Sequence, residues 1–476
     1  MEQKTVPLCV DLDGTVIRTD LLWESMVALL RRNPLYLFAV VAWWIRGRAF
    51  LKSQIARRTQ LSMANLPCHE PFLEYLRREK KAGRYLLLVT ASDRELARAF
   101  GDQFNIFDEV LASNGSENLR GATKAARLVE RFGPAGFDYA GNSSVDLPVW
   151  RRARHSLVVN APPQVEARAR SIGNVSNVFP SPRPSWRTWT ALLRPHQWVK
   201  NLIVFVPLLT SHKITHWGLL GDAALAFCAF CFGASAIYVL NDVMDVESDR
   251  HHSTKSRRPF ASGVLPLQTG LALFPVLVSA ALLLAWFLPL GFMATLVTYL
   301  VTATLYSSHF KQIALLDVFV LAGLYTLRLA AGHEATGVPY SVWLLAFSMF
   351  IFLSLALVKR FLELDLARQQ RQVDIKGRGY ESDDLALVST LGVTSGYVSA
   401  LVLALYVNSA DVRELYRHPT LLLLVCPLML YWISRAWMLA HRGQMNEDPI
   451  AFALGDRVSY VIGVLILLVL YLATGS

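Results

Sequence analysis

From residue 200 to the C-terminus one long apolar run follows another, and a soluble core has no room for so many. A helix needs about 20 mainly apolar residues to cross the hydrocarbon layer of a bilayer. The stretches 198–212, 218–240, 267–287, 289–306, 313–332, 341–359, 385–407, 419–439 and 455–473 meet or approach that length, which predicts nine spanning helices, the first of them short. Lys and Arg beside the spans set the orientation. With the N-terminus inside, loops 241–266, 307–312, 360–384 and 440–454, with Lys359 at a helix end, hold twelve: Arg250, Lys255, Arg257, Arg258, Lys311, Lys359, Arg360, Arg368, Arg371, Lys376, Arg378 and Arg442. The opposite loops hold three, Lys213, Arg413 and Arg417. The reading is a multi-pass protein of the inner, cytoplasmic membrane. Charge beside a membrane core is costly unless paired or functional, so any active site is expected to open to the cytosol.

Residues 1–185 have a different texture, mixing charged and apolar positions as a soluble domain does. The segment Pro180-Ser181-Pro182-Arg183-Pro184-Ser185 reads as a stiff linker. The expected organisation is a soluble domain over 1–180, a linker over 181–193 and a membrane domain over 194–476. A net charge of +11 raises nucleic acid as a partner. The basic residues, however, sit mostly beside apolar segments and in the first domain, so the bilayer's anionic headgroups or phosphorylated substrates account for them and no nucleic acid is implied. The five cysteines show neither a disulfide framework nor zinc spacing. The first apolar stretch is short and carries Asp11 and Asp13, unlike a signal peptide, which keeps the N-terminal domain cytosolic. Self-association into a homo-oligomer is left open.

The most informative stretch runs Asn241-Asp242-Val243-Met244-Asp245-Val246-Glu247-Ser248-Asp249, directly after an apolar span. At helical spacing Asp242, Asp245 and Asp249 fall within an arc of about 60° on one face. Three carboxylates that close repel one another unless a cation intervenes. Hard oxygen ligands favour Mg²⁺, commonly bound by one or two carboxylates together with substrate phosphates. The plainer alternative is a solvated acidic helix end; the position beside a membrane span, with Lys255, Arg257 and Arg258 following, favours a site.

This NDxxDxxxD pattern resembles the first aspartate-rich motif of the UbiA prenyltransferase superfamily, whose members are nine-helix bundles, and the resemblance covers about residues 190–476. Most of that superfamily carries a second aspartate-rich motif after the sixth span. Here the place reads Lys359-Arg360-Phe361-Leu362-Glu363-Leu364, one acid among bases, which suits direct contact with phosphate oxygens better than a second metal clamp. Further pieces are similar to the branch of decaprenyl-phosphate phosphoribosyltransferases of arabinan and cell-envelope synthesis: Arg194-Pro195-His196-Gln197-Trp198-Val199-Lys200-Asn201, Lys255 with Arg257-Arg258-Pro259, Tyr306-Ser307 and Asp456-Arg457. The resemblance implies transfer of 5-phosphoribose from phosphoribosyl pyrophosphate to a polyprenyl phosphate with release of pyrophosphate. It implies Mg²⁺ on Asp242, Asp245 and Asp249, donor phosphates on Lys255, Lys359 and Arg360, and the acceptor phosphate on Lys200 and Arg457. Asn241, Arg257, Arg258, Tyr306 and Glu363 complete the candidate substrate-binding set. His251 and His252 read as residues of a solvated loop. Arg328, inside a span, calls for a partner; Asp317 is not an immediate neighbour on its helix, and Glu334 or a substrate phosphate is expected.

Near the N-terminus, Pro7-Leu8-Cys9-Val10-Asp11-Leu12-Asp13-Gly14-Thr15 has the form of a buried parallel strand presenting two carboxylates at its end. The pattern resembles motif I of the haloacid dehalogenase superfamily. The remaining motifs follow in order: Leu86 to Ser92 with Thr90, then Lys124, then Asp138 to Asp146. The resemblance implies a doubly wound α/β domain with a helical cap over about residues 20–80. It also implies Asp11 as nucleophile, Asp13 as general acid and base, Thr90 and Lys124 as supporting catalytic groups, and Mg²⁺ held by Asp11, Asp13, Asn142 and Asp146. Asn142 stands where an Asp is usual, a weaker counter-charge for the ion. An active domain would remove the 5-phosphate from the ribosyl lipid, and fusion would raise its effective concentration at that product. Within the cap, Leu35 to Trp44 is unusually apolar and flanked by Arg31, Arg32, Arg46 and Arg48, which allows either core packing or an interfacial helix. Two other classes of function stand beside this one. A prenyltransferase using a prenyl diphosphate and an aromatic acceptor, with an inactive or regulatory first domain, predicts the missing second acidic motif. A transporter or scaffold leaves the cofacial aspartates without a role.

Overall fold

The computed structural model describes residues 6–114, 117–369, 379–407, 409, 412, 415–445 and 449–474, without the side chains of 48, 49, 450, 451 and 454. Of the basic residues named above, Arg371, Lys376, Arg378 and Arg413 lie outside the described residues, as does the side chain of Arg48. Contacts divide the chain into two units, Met1–Leu193 with Tyr238–Phe274, and Arg194–Ile237 with Pro275–Ser476. The acidic segment 242–249 therefore belongs to the unit that contains the N-terminal domain.

That unit is built on six strands: β1 (Leu8–Val10), β2 (Leu86–Asp93), β3 (Glu109–Ser113), β4 (Asp138–Gly141), β5 (Ser156–Val159) and β6 (Val175–Phe179). Their order is β3-β2-β1-β4-β5-β6 and every pairing is parallel. Leu8, Cys9 and Val10 are wholly buried, as expected of a central parallel strand covered on both faces. Their side chains alternate between two cores. Leu8 and Val10 join Phe72, Leu76 and Phe100 on one face. Cys9 joins Leu87, Phe137, Tyr139 and Trp150 on the other. The strand order reverses between β1 and β4, so the loops leaving them diverge and open a crevice at their carboxyl ends. The expected haloacid dehalogenase-like core is thus the one observed.

Between β1 and β2 lie four helices, Leu21–Arg32, Tyr36–Ile45, Arg48–Ala56 and Glu70–Lys81. The fourth buries Phe72, Leu73 and Leu76 against the sheet, so it belongs to the core. The cap is accordingly shorter than the predicted 20–80 and consists of the first three helices. Asp20 starts the first of them, its carboxylate accepting the Leu22 N–H at 2.9 Å. The predicted linker is only partly extended, because Trp186–Leu193 forms a helix.

In the membrane portion eight described helices are long and apolar enough to span: Trp217–Met244, Leu267–Ala285, Leu290–Ser308, Leu316–Thr336, Val342–Gln369, Ser382–Val407, Pro419–His441 and Arg457–Thr474. The ninth predicted stretch, 198–212, is helical but broken and short. That stretch folds as 3₁₀ turns over Pro195–Phe205 followed by a short helix, Val206–Thr210. Pro207 takes a first-turn position, where its missing N–H is tolerated, and so divides the run in two. Small residues let the long helices approach one another. Gly392 lies against Trp437 and Leu357, and the Ser354 hydroxyl donates to the Gly392 carbonyl at 2.7 Å while accepting from the Trp437 indole at 3.1 Å.

Candidate active sites

The loop leaving β1 presents Asp11 and Asp13. Asp11 Oδ1 accepts from Lys124 Nζ at 2.8 Å. Lys124 is buried near the start of the helix Ala122–Phe132. Its ammonium also donates to the Tyr139 hydroxyl at 2.9 Å, and that hydroxyl donates to Asp146 Oδ1 at 2.8 Å. Burial raises the Asp11 carboxyl above the usual carboxylate range, and the Lys124 charge works against it. Asp13 Oδ1 accepts the Leu21 N–H at 2.9 Å; Oδ2 accepts from the Ser92 hydroxyl and, at 3.4 Å, from that of Thr90. Burial, reinforced by the neighbouring Asp20 charge, raises the Asp13 carboxyl too, which suits a proton donor. Gly14 has a φ of +73°, and a Cβ there would strike the Asn142 amide, so this glycine lets the loops after β1 and β4 meet.

The residues here fit a divalent ion in part. Asp11 and the amide oxygen of Asn142 are hard donors of the type Mg²⁺ takes. Asp146 is engaged within its own loop: its Oδ2 accepts from the N–H of Asn142 (3.1 Å), the N–H of Ser143 (3.0 Å) and the Ser143 hydroxyl (3.1 Å), and its Oδ1 accepts from the Tyr139 hydroxyl. These bonds hold the loop. Asp13 is likewise engaged at both oxygens. Sequence reasoning gave Thr90 the hydroxyl role, whereas Ser92 makes the shorter bond to Asp13. It also missed Asp20 and Lys52. Lys52, on the cap helix Arg48–Ala56, donates to the Ala91 carbonyl at 2.7 Å and lowers the proton affinity of both Asp13 and Asp20. Nothing in the linear sequence marks a cap lysine 39 residues from Ala91 as a neighbour of this loop.

The second acidic group stands at the end of Trp217–Met244. Helical hydrogen bonds continue through Asp245, whose N–H reaches the Asn241 carbonyl at 2.8 Å, and Asp249, whose N–H reaches the Asp245 carbonyl at 2.8 Å. The helical path thus carries on past Met244, and Asp242 and Asp249 meet at one arginine. Asp242 and Asp249 are buried, and Asp245 and Asn241 half-buried. Arg258 Nη1 lies 3.1 Å from Asp242 Oδ1 and 2.8 Å from Asp249 Oδ2. Arg258, predicted to hold substrate, is thus the counter-ion of the carboxylates. Burial raises the Asp249 carboxyl, and Arg258 opposes that rise. Among the described residues no group of three or more His, Cys, Asp or Glu side chains is arranged to hold a metal ion. The donor chemistry, hard carboxylate oxygens, still suits Mg²⁺, and Arg258, which now meets two of them, is partly exposed. Lys255 and Arg257 are exposed on the next turn, as are His251 and His252.

In the second unit Arg360 is fully buried and forms an ion pair with Asp317 Oδ2 at 2.8 Å and another with Glu363. Asp317 Oδ1 also accepts from the Tyr380 hydroxyl at 2.7 Å. Arg360 and Glu363, both assigned to substrate from the sequence, are joined in this internal network. Lys359, Lys200 and Tyr306 are half-buried and Arg457 is exposed. Arg328 donates to Asn201 Oδ1 (2.9 Å), the Leu324 carbonyl (2.6 Å) and the Tyr299 hydroxyl (2.9 Å), and its guanidinium lies over the Tyr299 and Tyr325 rings. The expected partner Glu334 instead accepts from the Tyr340 hydroxyl at 2.7 Å. A cavity of about 610 Å³ opens among apolar side chains including Trp343, Phe347, Phe352, Met429 and Trp432.

Comparison with known proteins agrees with both halves. The model of the UbiA prenyltransferase family matches residues 202–460, and that of the haloacid dehalogenase-like hydrolases matches residues 8–151. An uncharacterised protein, y4nM, of Sinorhizobium fredii is 36% identical over 97% of this chain and 90% of its own length. Nodulation protein NoeC of Azorhizobium caulinodans is 38% identical over 58% of this chain and 89% of its own. Decaprenyl-phosphate phosphoribosyltransferase of Mycolicibacterium smegmatis is 34% identical over 43% of this chain and 65% of its own.

Proposed function

Because the chain belongs to the UbiA prenyltransferase family and carries a haloacid dehalogenase-like domain, we propose that it transfers 5-phosphoribose from phosphoribosyl pyrophosphate to a polyprenyl phosphate and then removes the 5-phosphate. The observation that carries the first half is Lys359-Arg360 standing where a prenyl-diphosphate enzyme needs a second acidic motif. Similarity to the mycobacterial phosphoribosyltransferase supports it. An oxygen of the lipid phosphate attacks the anomeric carbon of ribose, and the bond to pyrophosphate breaks with its electron pair leaving on pyrophosphate. The attacking oxygen is already anionic, so no general base is required. Asp242, Asp245 and Asp249 would hold Mg²⁺, which when bound with the donor supplies neutralisation of the charge developing on the leaving group. Lys255, Arg257 and Lys359 are the cations available to donor phosphates. Lys200 and Arg457 serve the acceptor phosphate, and the apolar cavity beside Trp343 and Trp432 suits its isoprenoid chain.

In the N-terminal domain the Asp11 carboxylate attacks the 5-phosphate while Asp13 protonates the departing ribose oxygen. Asp13 then takes a proton from the water that releases inorganic phosphate from Asp11. Asp11 and Asn142 would hold Mg²⁺ there. We place both sites on the cytosolic side of the inner membrane, on the strength of the basic-residue asymmetry.

The test incubates purified protein with phosphoribosyl pyrophosphate, Mg²⁺ and a polyprenyl phosphate. Wild type is expected to release ribosyl lipid without the 5-phosphate, Asp11→Asn to accumulate the phosphorylated lipid, and Asp245→Asn to make neither. Equal phosphate content in wild type and Asp11→Asn would remove the phosphatase half.

A further inference from the structure

We propose that the cap of the N-terminal domain has a second role and braces the acidic segment 242–258, with Glu24 and Arg250 as the positioning pair. Glu24 lies on the first cap helix, Leu21–Arg32, and is 3% exposed. Arg250 ends the short helix that carries Asp249. The two side chains meet in a forked pair, Nη2 to Oε1 at 2.6 Å and Nη1 to Oε2 at 3.1 Å. Arg250 Nε continues to the Ala261 carbonyl at 3.2 Å, and the Thr19 hydroxyl completes Glu24 Oε1 at 2.6 Å. A two-point, buried arginine–carboxylate contact fixes orientation as well as distance.

Three further contacts lie along the same seam. Asn65 Nδ2 is 3.1 Å from His251 Nε2. Arg31 lies 3.9 Å from Glu247. Gly263, at φ +71°, is so close to Arg18 and Pro67 that a Cβ would come 2.7 Å from the Arg18 Cβ. Chain connectivity extends the seam to both acidic sites. Arg250 follows Asp249, while Thr19 and Asp20 precede Leu21, whose N–H is held by Asp13. Removing Glu24 leaves a buried guanidinium without its carboxylate beside Asp249, and the segment must move to rehydrate it. The brace is independent of phosphatase chemistry, since the Glu24 carboxylate bonds to Thr19 and Arg250 rather than to Asp11, Asp13 or Lys124. The kinetic consequence rests on the transferase reading; the brace itself does not.

The experiment uses the full chain in nanodiscs, with Glu24→Gln, Arg250→Gln, the double variant, and Glu166→Gln on the exposed Glu166–Arg170 pair as control. Hydrogen exchange across 246–262 is expected to quicken about tenfold in each single variant and no further in the double, because the two side chains act as one unit. The KM for phosphoribosyl pyrophosphate is expected to rise about tenfold with a smaller change in kcat. The control leaves both unchanged. Glu24→Asp and Arg250→Lys, which keep the charges, give intermediate exchange and cover the case of a variant that does not fold. Unchanged exchange in both single variants overturns the brace. Faster exchange with unchanged transfer kinetics overturns its role in positioning the acidic segment for catalysis. If wild type makes no ribosyl lipid, the transferase reading fails and the exchange arm alone decides the brace.

A separate observation carries a second proposal. Tyr36–Ile45 has no buried residue, and Leu35, Leu37, Phe38, Val41, Trp44 and Ile45 are each more than half exposed. Tyr36, Val40 and Trp43 turn inward, onto Leu29, Leu51 and Ile55, so core packing covers one side of the helix. Arg31, Arg32, Arg46, Arg57 and Arg58 are exposed around it. Apolar and aromatic tips ringed by arginines match the boundary between acyl chains and anionic headgroups. We infer that this helix rests in the surface of the anionic bilayer that the spanning helices of the same chain occupy. Full-length protein with p-benzoylphenylalanine in place of Phe38, reconstituted in phosphatidylglycerol–phosphatidylcholine vesicles and irradiated, is expected to yield lipid adducts; the same probe in place of the exposed Arg98 is not. Adducts only to protein, or none, at position 38 would overturn the docking.

Discussion

The two acidic groups of the first unit solve the same electrostatic problem with different freedom. At the end of β1, Asp11 is compensated by Lys124, whose side chain is 3% exposed and tied to Tyr139. At the end of Trp217–Met244, Asp242 and Asp249 share Arg258, whose side chain is 27% exposed and comes from a loop. A cation fixed by packing is a permanent part of its site and can stabilise the same charge through every turnover. A cation at the end of a long, half-solvated side chain is free to give way, as the proposed binding of a metal ion and a diphosphate would require. The second unit supplies the limiting case in Arg360, fully buried between Asp317 and Glu363, where the cation is purely internal.

The largest effect is expected from that internal cation. Arg360→Ala strands Asp317 in the bundle and should lower stability by about 3–5 kcal/mol, read from thermal unfolding in detergent, whereas Arg360→Met combined with Asp317→Leu should recover most of the loss. Arg360 would rejoin the substrate-binding set if stability held and only the donor KM rose. Next comes Lys124→Met, which should reduce phosphate release by about 10²–10³-fold, since it removes the fixed charge at the reacting oxygens. Transfer to the lipid, measured in the same preparation, should continue. Arg258→Met is expected to be milder, about 1–3 kcal/mol less stable without divalent ions, with Mg²⁺ restoring more stability to the variant than it adds to wild type. Equal Mg²⁺ stabilisation in both proteins would mean that Arg258 and the ion do not compete for the carboxylates. The smallest change is assigned to His252→Ala, on the exposed loop, which should stay within about 0.5 kcal/mol and leave both activities as they were.

Much of this was legible in the order of residues. The apolar runs named eight of the spanning helices, because length and hydropathy are local properties. Asp11-x-Asp13 at the end of a short apolar run announced a buried parallel strand with its acids at the crevice, and the resemblance it carries implied the doubly wound sheet. The common face of Asp242, Asp245 and Asp249 followed from helical spacing alone. Over 198–212 the sequence did not reveal the break near Pro207, which divides an apolar run that composition left whole. The cap was drawn too long because Phe72, Leu73 and Leu76 look alike whether a helix covers a crevice or a sheet.

What the sequence by itself determined is therefore the inventory: which segments cross the membrane, which strand carries the acids, and on which side of the spans the basic residues gather. Which cation meets which acid was decided only by tertiary structure. Lys124 finds Asp11 across 113 residues and Arg250 finds Glu24 across 226, and no periodicity spans such separations. A charge that loses its water on burial needs an opposite charge beside it, and the positions that are buried together exist only after the chain has folded.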